Sequence, residues 1–418
     1  MRVAFLSVSD QLGGSEVALL QMIRGVRRER PSWTPLVVLP GRGPLLAEVE
    51  RAGGEGIVLA MPAPLVRIGE SAMMGARARL RARIGFGLRL AGVAGSLPRY
   101  LRQLTRLLRS RQPHLLHTNG LKAHVLGTRA AAGIPIVWHL HEYIRHRPIT
   151  RRLLRRQARG CSLILTNSRS VADDVRSVVG EGVSIRVLHN AVDLGALDSS
   201  GPVADLDTLA GIAPGSPPPV RIGLVASFGR WKGHDVFLRA LAMLPPHLPV
   251  RGYLIGSPLY DTAGSQRSPT ELQELVRQIG LAGRVGLTGY VAAPEAMRAL
   301  DVMVHASTQP EPFGLVIAEA MACGRAVVTS GLGGASELIV PGQDALTHEA
   351  GDAASLAAVL ERLVRDPSLR AALGRRAQEA ARARFDPGGF ARSLVEAYEG
   401  IAGERSVRDR THPARTAS

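Results

Sequence analysis

Residues 311–324 read Glu311-Pro312-Phe313-Gly314-Leu315-Val316-Ile317-Ala318-Glu319-Ala320-Met321-Ala322-Cys323-Gly324, and this stretch with its flanks decides the fold. Upstream, Leu300-Asp301-Val302-Met303-Val304-His305-Ala306-Ser307 is an apolar run of strand length, and downstream Arg325-Ala326-Val327-Val328-Thr329-Ser330 is another. Pro312 and Gly314 punctuate a loop, the Ala-rich run favours a helix, and Gly324 stops it. Strand, loop, helix, strand is the building unit of a parallel α/β sheet.

The same stretch carries chemistry. The amides of Phe313, Gly314, Leu315 and Val316 make a helix N-terminus, where unsatisfied N–H groups and the helix dipole favour an anion such as a diphosphate. Glu319, inside the helix, can accept from both hydroxyls of a ribose, and Glu311, in the loop, can do the same for a sugar beyond the phosphates. A bare Glu-x₇-Glu spacing usually belongs to two solvated carboxylates. The flanking strands turn the reading toward a nucleotide-sugar site.

Working outward, the N-terminal half opens with a strand over 2–7, a loop Ser9-Asp10-Gln11-Leu12-Gly13-Gly14-Ser15-Glu16 and a helix through Val17, Leu20 and Ile23, which begins a doubly wound domain. Further strands are expected at 33–39, 56–59, 115–118, 134–139, 163–167 and 184–188. Residues 198–219, rich in Ser, Gly and Pro, read as a linker. A second domain then begins at Val220, with strands at 220–227, 250–255, 284–288, 301–305 and 326–330. The expected organisation is a first domain over 1–197, the linker 198–219, a nucleotide-sugar domain over 220–385, a helix over 386–402 and a disordered tail over 403–418.

Two strand ends carry further candidates. Trp138-His139-Leu140-His141-Glu142-Tyr143 ends an apolar strand in two histidines and an acid, and strand C-termini in open α/β sheets face ligands. Ala226-Ser227-Phe228-Gly229-Arg230-Trp231-Lys232-Gly233-His234 ends the first strand of the second domain, where Arg230 and Lys232 can neutralise charge on a departing diphosphate. Asp205-Leu206-Asp207 has an Asp-x-Asp form but lies beside no expected strand end, and reads as helix capping or solvated charge. Asp173-Asp174 reads as exposed. No metal site follows.

These motifs resemble the retaining, family-4 type glycosyltransferases with the GT-B fold, in which two Rossmann-like doubly wound domains face each other across a cleft. The resemblance implies that Glu319 holds the ribose, that Glu311 contacts the donor sugar, and that the amides between them meet sugar and phosphate oxygens. It further implies that His141, ahead of His139, lies beside the reacting sugar, that Gly13 and Gly14 meet the donor phosphates or the acceptor, and that Thr288-Gly289-Tyr290 hold the nucleobase by backbone groups. Gly333-Gly334-Ala335-Ser336-Glu337-Leu338 is similar to the family's glycine-rich turn, with Ser336 where proline is common. Asn190-Ala191-Val192-Asp193 is similar to a segment at the domain junction, with Ala191 for glycine. Lys232 matches the family lysine, whereas the usual arginine position five residues earlier is Ser227, which leaves Arg230 as its substitute. The final helix is implied to cross back to the first domain.

The function implied is transfer of a sugar from a nucleotide-sugar to a hydroxyl of a lipid-linked or polysaccharide acceptor with retention, without cofactor or metal. Alternatives are a nucleotide-sugar epimerase, a sugar phosphorylase with a lysine-bound pyridoxal group, or a non-enzymatic arginine-rich binding protein.

Composition limits the partners. A chain of 418 residues with 45% hydrophobic residues can bury two cores. No run of about 18 uninterrupted apolar residues spans a bilayer, and the N-terminus reads as a strand rather than a secretory signal, so a cytoplasmic protein is expected. Cys161 and Cys323 have no metal-type spacing. The net charge of +17 asks for an acidic partner. Residues 67–111 carry Arg67, Arg77, Arg79, Arg81, Arg83, Arg89, Arg99, Arg102, Arg106, Arg109 and Arg111 against the single acid Glu70, interleaved with leucines. Such a segment either rests on an anionic membrane surface, here the inner face of the plasma membrane, or packs on its own domain with a solvated arginine face. Aromatics at 4% and the absence of any nucleic-acid-binding pattern argue against nucleic acid.

Overall fold

The computed structural model describes residues 1–67, 80–213, 217–258 and 265–411. The chain divides into two compact units, Met1–Ala191 with Pro387–Ser418, and Val192–Asp386. The boundary falls within Asn190-Ala191-Val192-Asp193.

In the first unit β1 (Arg2–Ser7), β2 (Thr34–Leu39), β3 (Glu55–Val58), β4 (Leu115–Asn119), β5 (Ile136–Leu140), β6 (Leu163–Thr166) and β7 (Ile185–Val187) form one parallel sheet. Their order is β3-β2-β1-β4-β5-β6-β7. The strands read as continuous apolar runs because both faces are covered. Val3 and Phe5 enter one core with Leu115 and Val137, while Ala4 and Leu6 enter the opposite one with Leu116 and Trp138. The second unit repeats the plan with β8 (Val220–Val225), β9 (Val250–Ile255), β10 (Val285–Gly289), β11 (Val302–His305), β12 (Ala326–Thr329) and β13 (Leu346–Thr347), ordered β10-β9-β8-β11-β12-β13. Val302 and Val304 face one core and Met303 the other.

In both sheets the order reverses at one point, between β1 and β4 and between β8 and β11, and ligands of open α/β sheets bind beyond the strand ends at such a point. The loops leaving β1, β4, β8 and β11 are therefore the ones to inspect.

The helix Pro387–Thr411 belongs to the first unit. Phe390, Leu394, Val395, Ala397 and Tyr398 recur at helical spacing and enter the core that holds Val3 and Phe5. Its fit against the helix Gly14–Glu29 is close: a Cβ on Gly25 would lie 2.8 Å from that of Ala391. Tyr398 Oη lies 2.8 Å from Nδ1 of the buried His117.

Four expectations need correction. The segment read as a linker is partly packed structure, since it contains the helix Leu206–Ala210, capped by Asp205, and the buried Asp207. Asp207 accepts from Arg251 at 2.7 Å, Tyr253 Oη at 2.7 Å and Arg221 at 3.0 Å, so it is no solvated charge. Asp174 is buried too, because its carboxylate accepts the backbone amides of Ile144 at 2.6 Å and Arg145 at 3.1 Å. The C-terminal helix continues through Thr411, beyond the expected start of a disordered tail at 403, and residues 412–418 lie outside the described residues.

Of the arginine-rich segment, 68–79 lies outside the described residues, including Arg77 and Arg79. A helix covers Leu80–Arg111, and its second half buries Tyr100, Leu104 and Leu108 against its own unit while Arg99, Arg102, Arg106, Arg109 and Arg111 stay exposed. Among the described residues no helix is long and apolar enough to cross a membrane.

Removing one member of a buried ion cluster strands the others without compensation, so Asp207→Ala is expected to cost about 3–5 kcal/mol. Differential scanning calorimetry of the full chain checks this. An unchanged transition would show that the cluster contributes nothing to the second unit.

Candidate functional site

The second-unit site is assembled at the β8/β11 reversal. After β8 the chain makes a short 3-10 turn, Arg230–Lys232, ending at Gly233 with φ +73°. A Cβ there would lie 1.9 Å from the Ala306 carbonyl oxygen, so only glycine lets this turn lie against the end of β11. The turn is stitched to that end where the Trp231 carbonyl accepts from the Thr308 amide at 2.8 Å. Lys232 Nζ is thereby delivered to Glu311 Oε2 at 2.6 Å. Ser307 Oγ donates to the same oxygen at 3.1 Å, and His305 Nε2 lies 3.4 Å from it. Thr329 at the end of β12 holds the other side of that imidazole, Oγ1 to Nδ1 at 3.0 Å. The backbone of Glu311 is fixed as well, its amide bonded to Leu332 at 3.1 Å and its carbonyl to the Gly334 amide at 2.7 Å. The Gly333-Gly334 turn therefore serves as the wall that sets Glu311 in place.

Burial opposes ionisation of Glu311, but the Lys232 charge and the His305 contact outweigh it and hold the carboxyl far below the usual carboxylate range. Glu319 is the contrasting case. It projects from the helix Leu315–Ala322, with Gly314 (φ +91°) as N-cap, and burial without a compensating cation pushes it up to about 7. One carboxylate is a fixed anion and the other is poised near neutrality. The first turn of that helix supplies the N–H groups that no helix satisfies internally.

In the first unit Gly13 is the N-cap of the helix Gly14–Glu29. Asn119 ends β4 and His141 follows β5. His141 Nε2 lies 2.9 Å from Asn119 Oδ1, and Asn119 Nδ2 donates to the Ser15 carbonyl at 3.1 Å. The His141 ring packs on His139, centroids 4.0 Å apart, and burial lowers its pKa to about 4. Glu142 pairs with Arg147.

Models of two domains match this chain: Glycosyltransferase Family 4 over residues 12–196, and Glycosyl transferases group 1 over residues 219–366. The chain belongs to the family 4 glycosyltransferases. It is similar to a D-inositol 3-phosphate glycosyltransferase of Stackebrandtia nassauensis, 33% identical over 46% of this chain and 44% of that protein. It is also similar to the lipopolysaccharide core biosynthesis glycosyltransferase LpsE of Rhizobium meliloti, 32% identical over 53% of this chain and 59% of that one. The chain thus spans about half the length of these curated relatives. Among solved structures, Anabaena HepE in complex with UDP and glucose matches with a TM-score of 0.78 at 25% identity, covering 96% of this chain and all of that one. Both sheets are the Rossmann-like units of the GT-B fold.

Of the residues expected at its site, the structure brings Lys232, Glu311 and Gly314 to the C-terminal end of one sheet, with Glu319 on the helix that leaves it, and Gly13 and His141 to the C-terminal end of the other. Arg230 turns instead to Glu271, 2.9 Å away, with both side chains about half exposed. Thr288 and Gly289 end β10, and Tyr290 follows, 79% exposed. Sequence reasoning passed over His305, Ser307 and Asn119. His305 and Ser307 stood in the quoted strand, and their place at its C-terminal end was the signal that could have found them.

Because the Glu311 pKa is depressed on folding, the stability it contributes is present above its unfolded value and lost as pH falls. Lys232→Met removes the main attraction, so thermal stability of the variant should fall less steeply than that of the wild type between about pH 5 and pH 3. Parallel slopes would mean that Lys232 does not set the ionisation of Glu311.

Proposed function

We propose that this glycosyltransferase moves a sugar from a nucleotide-sugar to a hydroxyl of a lipid-linked or polysaccharide acceptor with retention of anomeric configuration. The observation that carries the reading is the pairing of Lys232 and Glu311 beside the N-terminus of the helix Leu315–Ala322, which also bears the buried Glu319. In this reading the helix amides and Lys232 receive the diphosphate, whose charge grows as the glycosidic bond breaks. Glu311 keeps Lys232 in position and contacts the donor sugar. Glu319 accepts the two ribose hydroxyls. The tie of Glu311 Oε2 to Lys232 and Ser307 disfavours it as a nucleophile, which suits a same-face displacement in which the leaving phosphate helps deprotonate the acceptor. His141 lies beside the reacting sugar, and Thr288, Gly289 and Tyr290 take the nucleobase.

HepE was solved with UDP-glucose, which makes UDP-glucose the first donor to test in a thermal-shift screen that also includes GDP- and ADP-sugars. The exposed arginines of the helix Leu80–Arg111 and the net charge of +17 support an anionic membrane surface as the setting for the acceptor. Lys232 is a poor anchor for the lysine-bound pyridoxal group of a phosphorylase, since a carboxylate holds it.

Loss of hydrogen bonds to a charged group costs about 1.5–3 kcal/mol, so Glu319→Ala should weaken nucleotide-sugar binding by that amount. Hydroxyl donors favour the ionised carboxylate, and with a starting value of about 7 the wild-type affinity should rise between about pH 6 and pH 8. Glu319→Gln should flatten that rise. Calorimetry giving wild-type affinity for a folded Glu319→Ala protein would remove Glu319 from the donor site. Turnover should also survive EDTA, because Lys232 and the helix amides supply the positive potential. Activity abolished by chelation and restored by Mg²⁺ or Mn²⁺ would overturn the metal-free reading.

A further inference from the structure

Asn119, at the end of β4, is almost completely buried and joins two elements of the first unit. Its two amide atoms can be assigned by elimination. The Ser15 backbone carbonyl can only accept, so the atom 3.1 Å from it is the amide nitrogen. The atom left for His141 is therefore the carbonyl oxygen Oδ1, which can only accept, and Nε2 of His141 at 2.9 Å must carry a proton. An imidazole protonated at Nε2 and neutral overall keeps a lone pair on Nδ1. No hydrogen bond from the described residues reaches that atom.

We propose that Asn119 is a positioning residue that locks His141 as the Nε2–H tautomer, so that Nδ1 accepts a hydrogen bond from a sugar hydroxyl. This deepens the glycosyl-transfer reading and rests on it for the ligand, but not for the tautomer. The lock has two further parts. The His139 ring, fully buried, packs against His141 with the two planes tilted by 39° and restricts its rotation. Ser15 sits in the first turn of the Gly14–Glu29 helix, so the glycine loop after β1 and the histidine after β5 are tied through a single amide on β4, the strand between β1 and β5. A cationic His141 would donate from both nitrogens and present no acceptor at all. Burial among neutral rings disfavours that state: His117 and His139 are wholly buried, and His124 is likewise held neutral by burial. The nearby acids are engaged elsewhere. Glu142 pairs with Arg147, and Glu16, itself largely buried, accepts from Ser15 Oγ at 2.9 Å.

The test has one arm independent of activity and one dependent on it. Long-range ¹H–¹⁵N correlation spectra of the full chain at neutral pH should show His141 neutral and protonated at Nε2. A protonated Nδ1 in the wild type overturns the proposal whatever the enzyme's donor. For the second arm, Asn119→Asp keeps an acceptor opposite Nε2 but adds a charge that stabilises imidazolium. Its kcat at saturating donor should fall about tenfold at neutral pH and recover as pH rises, with KM for the nucleotide-sugar matching the wild type at each pH, while wild-type kcat stays flat over that range. Asn119→Ala should lose turnover with no recovery at high pH. If Asn119→Asp follows the wild-type pH profile, Asn119 has only a structural role and the proposal fails. If spectra show the Nε2–H tautomer but no nucleotide-sugar is turned over, the lock stands and the glycosyl-transfer reading falls.

Discussion

The site in the second unit depends on one topological constraint, the reversal of strand order between β8 and β11. Lys232 and Glu311 are 79 positions apart, yet the loops that carry them leave hydrogen-bonded neighbours at the same sheet edge. A 2.6 Å ammonium–carboxylate contact in a mostly buried setting is costly to desolvate; Ser307 and His305 add contacts to the same Oε2, and the Gly334 amide anchors the Glu311 backbone carbonyl. Gly233 is part of the same constraint, since any side chain there would push the Lys232 turn off Ala306 and open the ion pair.

The two carboxylates of the opening motif show how position alone separates roles. Glu311 and Glu319 are chemically identical and eight residues apart, yet one meets a lysine and a histidine and stays ionised far into acid, while the other meets no cation and sits near neutrality. Pairs of titratable groups driven apart in this way are a common mark of functional sites.

Much of this was legible in the sequence because the strands are buried on both faces and read as unbroken apolar runs, and because Gly and Pro mark their ends. β9 was placed to the residue at 250–255, and the strand–loop–helix around Glu311 stood as expected. What failed was local reading of charge. Asp207 and Asp174 look like surface acids, and only the tertiary fold shows that Arg251, Arg221 and Tyr253 converge on the first, or that two loop amides need the second. β13 has two residues, too few to display a period. His305 and Asn119 act through neighbours on other elements, Thr329 on β12 for the first and Ser15 and His141 for the second, and no spacing along the chain encodes such partners. The resemblance to family 4 pointed to the donor loop and His141 but not to the groups that hold them.

The helix Pro387–Thr411 closes the core of the unit whose first strand begins at Arg2. During synthesis the first unit must therefore wait with one apolar face uncovered while the whole second unit is translated. At about 5–20 residues per second that interval is on the order of ten to forty seconds. Through that interval the face of the helix Gly14–Glu29 that carries Gly25 lacks the cover that Ala391 later brings. A ribosome stalled before residue 387 would leave a first unit that has its complete sheet and still lacks one wall.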